Sequence, residues 1–212
     1  MIAPSMATML CVITTDAAVP PGLLRMLLRQ AVARTFNRIS VDGDMSTNDT
    51  VFALAGGRSG VAIRSGSSAA RFARLLEAVA ERLSRLLIRD GEGATRLMEV
   101  RVTGGRTDAE AQACARQVAC SPLVKTMLAG GDPNVGRLAA AAGASHARFN
   151  PGRLSVWIGS RRGVSRGAAL PLRKALLRGL LRHPAVTVLI RLHAGRGEGR
   201  MLTCELTEAY VR

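Results

Sequence analysis

Aromatic side chains are nearly missing: one Trp, one Tyr and four Phe in 212 residues. Bases have almost nothing to stack on, which removes the usual platform for single-stranded nucleic acid. A core of this size must then be built from Leu, Val, Ala, Ile and Met. Lysine is just as scarce, occurring at Lys125 and Lys174, so the net charge of +15 is carried by arginines spread along the chain. No nucleic-acid motif accompanies them, and they read as a solvated basic surface that can draw in a small carboxylate substrate. No apolar run is long enough to span a bilayer, and Met1–Asp16 lacks the basic n-region of a signal peptide. The expectation is a cytoplasmic protein with neither a membrane nor a nucleic-acid partner. Cys11, Cys114, Cys120 and Cys204 form no C-x-x-C pair, and His146, His183 and His193 are not at metal-ligand spacing. No metal site and no cofactor are expected.

What is present alternates between strand and helix patterns. Met9–Thr15 is short, apolar and partly β-branched, which suits a buried strand. Pro20-Pro21 opens a helix with Leu24, Leu27, Leu28 and Val32 on one stripe. The polar loop Ser40–Thr50 leads to a second apolar strand, Val51–Ala55. A long helix is predicted over Ser68–Arg89, with Phe72, Leu75, Leu76, Val79, Leu83, Leu86 and Leu87 on one face. Met98–Thr103 alternates like a strand, and Asp108–Val118 is helical with Thr107 as its N-cap. Pro122–Leu128 and Val135–Ala142 read as short helices. Strands follow at Leu154–Ile158 and Val186–Leu192, around a basic loop at Arg161–Arg166 and a helix near Leu172–Arg182. A last strand is predicted at Leu202–Leu206. This alternation predicts an α/β fold in one domain. Gly91-Glu-Gly93 and Gly197-Glu-Gly199 are too short for phosphate loops and read as turns or helix surface.

The order of the local motifs is more telling than any one of them. Met1-Ile-Ala-Pro-Ser-Met-Ala-Thr-Met-Leu10 is followed by Thr14-Thr-Asp16, Phe36-Asn-Arg-Ile39 and Val41-Asp-Gly-Asp-Met-Ser-Thr-Asn-Asp-Thr-Val51. Arg89-Asp-Gly-Glu-Gly-Ala-Thr95, Ser121-Pro-Leu-Val-Lys-Thr126, Gly131-Asp-Pro-Asn-Val-Gly-Arg137 and Cys204-Glu-Leu-Thr-Glu-Ala-Tyr-Val211 complete the series. Over nearly its whole length the chain resembles the β half of the ornithine acetyltransferases, self-cleaving enzymes of arginine biosynthesis. The resemblance implies an α/β fold of layered sheets sandwiched by helices, shared with a group of self-processing aminopeptidases. It implies cleavage between Ala7 and Thr8, leaving residues 1–7 as a remnant of the α chain and 8–212 as the β-chain catalytic domain, shortened at its C-terminus.

Thr8 is then the nucleophile. A threonine hydroxyl is weak at neutral pH, but a free α-amine on the same residue titrates near there and can act as its base. The implied reaction moves an acetyl group from N-acetylornithine to glutamate through acetyl-Thr8, with acetyl-CoA as an alternative donor that stays open. Glu92 matches the family's substrate-contacting glutamate. The implied partner is an α chain, in an αβ heterodimer that pairs again. Two departures bear on activity: the family's oxyanion-forming Thr-Gly pair belongs to the α chain, and its substrate-contacting tail lies past Arg212. Ser5 also replaces a common Asn, and Val135 stands where the family usually has Trp. Three other readings stay open: an inactive truncated remnant, a self-processing aminopeptidase using the same nucleophile logic, and, last, a basic nucleic-acid module.

Overall fold

The computed structural model describes residues 9–44, 46–171 and 174–210. Its first strand, β1 (Leu10–Thr15), lies parallel to β3 (Thr50–Ala55), with Leu10 opposite Thr50 and Thr15 opposite Ala55. The helix α1 (Pro21–Arg34) begins in the sequence between them, at Pro21, where a missing N–H costs nothing. Leu27 and Ala31 are its buried residues. Past its end, the Thr35 hydroxyl donates to the Ala31 carbonyl at 2.7 Å, and Phe36 and Ile39 are fully buried. A two-residue strand, β2 (Ile39–Ser40), precedes the polar loop, and the long helix α2 (Gly66–Arg89) follows β3.

Between Leu87 and Ile88, in the last turn of α2, the chain divides into two compact units. In the first, Ala17, Val19 and Ile63 form a small core on which Leu23, Leu24, Ala55, Ala69 and Phe72 pack. With a single neighbouring strand among the described residues, β1 is not the buried strand that its composition suggests. Leu10 is 71% and Val12 59% exposed, and their neighbours Phe52 and Leu54 in β3 are 51% and 56% exposed. Likewise, the predicted apolar face of α2 is not buried as one: Leu76 is covered, whereas Leu75, Val79 and Leu86 are exposed.

The second unit holds the larger core. Its elements are β4 (Leu97–Gly105), α3 (Asp108–Cys120), α4 (Pro122–Gly130), α5 (Val135–Gly143), β5 (Ser155–Ile158) and β6 (Arg161–Ser165). The series ends with β7 (Ala168–Ala169), α6 (Lys174–Leu181), β8 (Ala185–Arg191) and β9 (Gly197–Cys204). Within this unit the strands lie in the order β9-β4-β8-β5-β6-β7. The pair β4/β8 is parallel, and β4/β9, β5/β8 and β5/β6 are antiparallel. Met98, Val100 and Val102 of β4 join Val186, Val188 and Ile190 of β8 against Ala111, Cys114, Ala115 and Val118 of α3, together with residues of α4, α5 and α6. The chain is thus α/β, with helices packed on a mixed sheet.

Two sequence expectations change here. The basic loop Arg161–Arg166 is largely strand β6, paired with β5, and Arg166 sits in the turn beyond it. Gly197-Glu-Gly199 is also strand rather than turn. A Cβ at Gly197 would collide with the Thr107 carbonyl, and one at Gly199 with the Ala111 carbonyl. Glycine therefore lets α3 lie directly on β9. The predicted N-cap holds, since Thr107 accepts from the Glu110 amide at 3.2 Å.

Candidate active site

Ala7 and Thr8, the predicted cleavage site and nucleophile, lie outside the described residues. The description begins one residue later, and Met9 is firmly held. Its amide donates to Asp49 Oδ1 at 2.9 Å, and its carbonyl accepts from the Thr50 amide at 2.8 Å. Asp49 closes a loop stitched by its own side chains. Gly43 N–H donates to Ser40 Oγ at 3.1 Å, Asp44 N–H to Asp42 Oδ1 at 3.0 Å and Asn48 N–H to Ser46 Oγ at 3.0 Å. These bonds give the Val41–Thr50 motif a physical reason for its small polar residues. Asp49 Oδ2 is buried and has no hydrogen-bond partner among the described residues. A small cavity of about 250 Å³ opens there, lined by Met9, Arg29, Asn37, Asp49 and Thr50 among others. An unpartnered carboxylate oxygen in a buried spot is costly, and marks a place where a cation or donor belongs.

Glu92 is in the second unit, exposed on the turn between α2 and β4. The turn itself is clamped by the C-terminal segment. The buried Glu205 carboxylate accepts from Thr95 N–H at 2.8 Å, from Thr95 Oγ1 at 2.5 Å and from Arg96 N–H at 2.9 Å. Thr207 Oγ1 donates to the Gly93 carbonyl at 3.0 Å. Gly93 adopts φ +68°, and a Cβ there would come within 2.9 Å of Ala209 Cβ and 3.0 Å of Tyr210 N, so glycine is required twice over. Lys125, to which the sequence assigns no role, is buried, donating to Thr203 Oγ1 at 2.9 Å and to the Cys204 carbonyl. It pins the end of β9 just before Glu205. Arg137 donates to the Leu123 carbonyl at 3.1 Å. Four of the ordered sequence motifs thus meet in the second unit around the Glu92 turn and helix α4. Glu205 and Asp49 were legible only as members of motifs, because their partners are distant in sequence.

Among the described residues, no group of three or more His, Cys, Asp or Glu is arranged to hold a metal ion. No described helix is long and apolar enough to cross a membrane. The four cysteines are free thiols. Burial pushes the Cys114 thiol up to about 11, against a smaller opposing effect of the Ser145 hydrogen bond. Burial also raises Cys11. Neither is poised as a thiolate nucleophile. Burial pushes the Glu99 carboxyl upward, but Arg101 and Arg200, at 2.8 and 2.7 Å, outweigh it and hold it below the ordinary range.

Residues 1–212 match the ArgJ family. The chain is 46% identical to the arginine biosynthesis bifunctional protein ArgJ of Thermus thermophilus, over 100% of this chain and 54% of that protein. It is 47% identical to the protein of the same name from Nitratidesulfovibrio vulgaris, again over 100% of this chain and 54% of the relative. The chain therefore spans about half the length of these relatives. The crystal structure of the arginine biosynthesis bifunctional protein ArgJ from Bacillus halodurans superposes with a TM-score of 0.93 at 38% identity, covering 97% of this chain and 98% of that one. Matched along its whole sequence and over nearly its whole fold, this chain belongs to the ArgJ family.

Proposed function

We propose that the chain is the nucleophile-bearing half of an acetyltransferase of arginine biosynthesis, acting in the cytoplasm with an α chain that supplies the rest of the site. The observation that carries this is the family match over residues 1–212, which includes Thr8 and Glu92. Cleavage of the Ala7–Thr8 bond would free the Thr8 amine. That amine takes the proton of the Thr8 hydroxyl as Oγ attacks the acetyl carbon of N-acetylornithine. The C–N bond breaks, ornithine leaves with the proton, and acetyl-Thr8 remains. The amine of glutamate then attacks the ester, giving N-acetylglutamate and restoring the hydroxyl. Acetyl-CoA could supply the same ester with a thiol as leaving group.

Asp49 supports this chemistry. It grips the amide joined to Thr8, and its second oxygen, buried and without a described partner, suits the ammonium that forms when the amine takes up a proton. Glu92, on a turn braced by Glu205 and Thr207, would hold the substrate's ammonium group. The exposed apolar side chains of β1 and β3 favour an α chain as the covering partner.

Co-expression with the N-terminal half of an ArgJ relative tests the proposal. Intact mass should show loss of residues 1–7, and the complex should transfer acetyl from N-acetylornithine to glutamate. Thr8→Ala should stay uncut and inactive. Full transfer by Thr8→Ala would overturn the assignment of the nucleophile, and release of acetate to water in place of transfer to glutamate would favour a hydrolase.

A further inference from the structure

We propose that an arginine-lined cavity in the second unit binds a small anion carrying two or more phosphoryl groups, at a site independent of the acetyl-transfer reading. The cavity, about 460 Å³, is lined by Arg153, Arg162, Arg166 and Arg191, with Trp157 and His193. This volume lies within the span typical of small-molecule sites. None of its lining residues is acidic. Among the described residues no carboxylate pairs with any of the four arginines, although Arg101 and Arg200 of the same unit do find an acid in Glu99.

Two of the cations are held in place, not merely gathered. The Arg162 and Arg191 guanidinium carbons sit 5.0 and 5.6 Å from the Trp157 ring centroid, so one indole orients two positive groups. Arg162 Nη1 also donates to Ser165 Oγ at 2.8 Å. The buried Ser155 hydroxyl lies 3.5 Å from His193 Nε2. Backbone conformation points to the same place. Arg166 at φ 49° and His193 at φ 55° are the non-glycine residues with positive φ among those described, and both line the cavity. Arg166 and Gly167 are the central pair of the β6–β7 turn, where Asn-Gly or Gly-Gly is usual. An arginine in that position adds one of the four donor-rich forks where chain geometry alone would prefer a small residue. His193 reports the resulting field: burial, then the charges of Arg191, Arg153 and Arg162, push its imidazole below the ordinary range.

Like charges held this close repel unless a ligand neutralises them. One carboxylate would leave most of the charge uncompensated, whereas a di- or triphosphate offers several oxygens to planar guanidinium forks. The test is titration of the full 212-residue chain with inorganic pyrophosphate and with ADP at physiological salt, by calorimetry and by the His193 ring resonance. A single saturable site is expected, with affinity falling at least tenfold in Arg162→Ala and Arg191→Ala but not in Arg25→Ala, which removes the same charge elsewhere. Arg166→Gly suits its turn, so it should keep the fold while weakening binding. Pyrophosphate should also raise the His193 titration midpoint. Absence of a saturable site, equal losses in Arg25→Ala, an unmoved His193, or a duplex oligonucleotide that outcompetes both phosphates at equal charge would each overturn the proposal.

Discussion

Asp49 receives the Met9 amide with one oxygen and keeps the other buried and without a described partner, so its charge matters more than its shape. Asp49→Asn keeps an oxygen for Met9 and removes the charge. In the complex it is expected to fold, yet to slow acetyl transfer by about ten- to a hundredfold, the scale of one charge-assisted hydrogen bond. Rate measurements at saturating N-acetylornithine check this; an unchanged rate would leave Asp49 a structural loop residue. Glu205 is the comparable residue in the second unit, with three donors on one carboxylate. Glu205→Gln must turn an amide NH₂ towards a crowd of donors and should cost about 1.5–3 kcal/mol of stability, read by urea denaturation. It should also raise KM through the loosened Glu92 turn. Neither role was visible in the sequence. Met9 and Asp49 are far apart along the chain, as are Thr95 and Glu205, and only strand pairing brings each pair together.

At the scale of elements, the α3–β9 seam depends on backbone touching backbone. Gly199→Ala puts a methyl into the Ala111 carbonyl and should destabilise by about 1–3 kcal/mol, seen as a lowered Tm. Periodicity could not show this: Gly197-Glu-Gly199 has the composition of a turn, and its strand character comes from pairing with β4. The arginines of β6 misled in a similar way, since charge suggests a loop until Val156 is seen opposite Val164 across the hairpin. By contrast, α1, α3, α4 and α5 were legible, because the Pro or Thr that opens the first three and the apolar spacing of all four are local signals. The cross-strand cluster of Glu99 with Arg101 and Arg200 makes a pH prediction. The folded carboxyl titrates below its unfolded value, near 4.5. Its stabilisation is therefore complete above that pH and is lost as pH falls through the lower, folded value. Glu99→Gln should flatten that part of an acid-unfolding profile and lower stability at neutral pH.

For the whole molecule, the exposed apolar side chains of β1 and β3 in the first unit are the decisive property. A two-stranded parallel sheet with Leu10, Val12, Phe52 and Leu54 exposed is poorly suited to stand alone. Phe52→Glu is expected to leave the isolated chain as well folded as before by circular dichroism, and to abolish co-purification with an α half. Retained co-purification would move the interface elsewhere. The family was legible because its motifs run in order along the entire chain. The division into two units was not, since no linker or shift in composition marks residues 87 and 88. The scarcity of aromatics has one last consequence. Trp157, the chain's one tryptophan, lies between two guanidinium groups in the arginine cavity. Its emission, excited where tyrosine is silent, is thus a built-in optical probe of that cavity, free of background from any other indole and readable without a label.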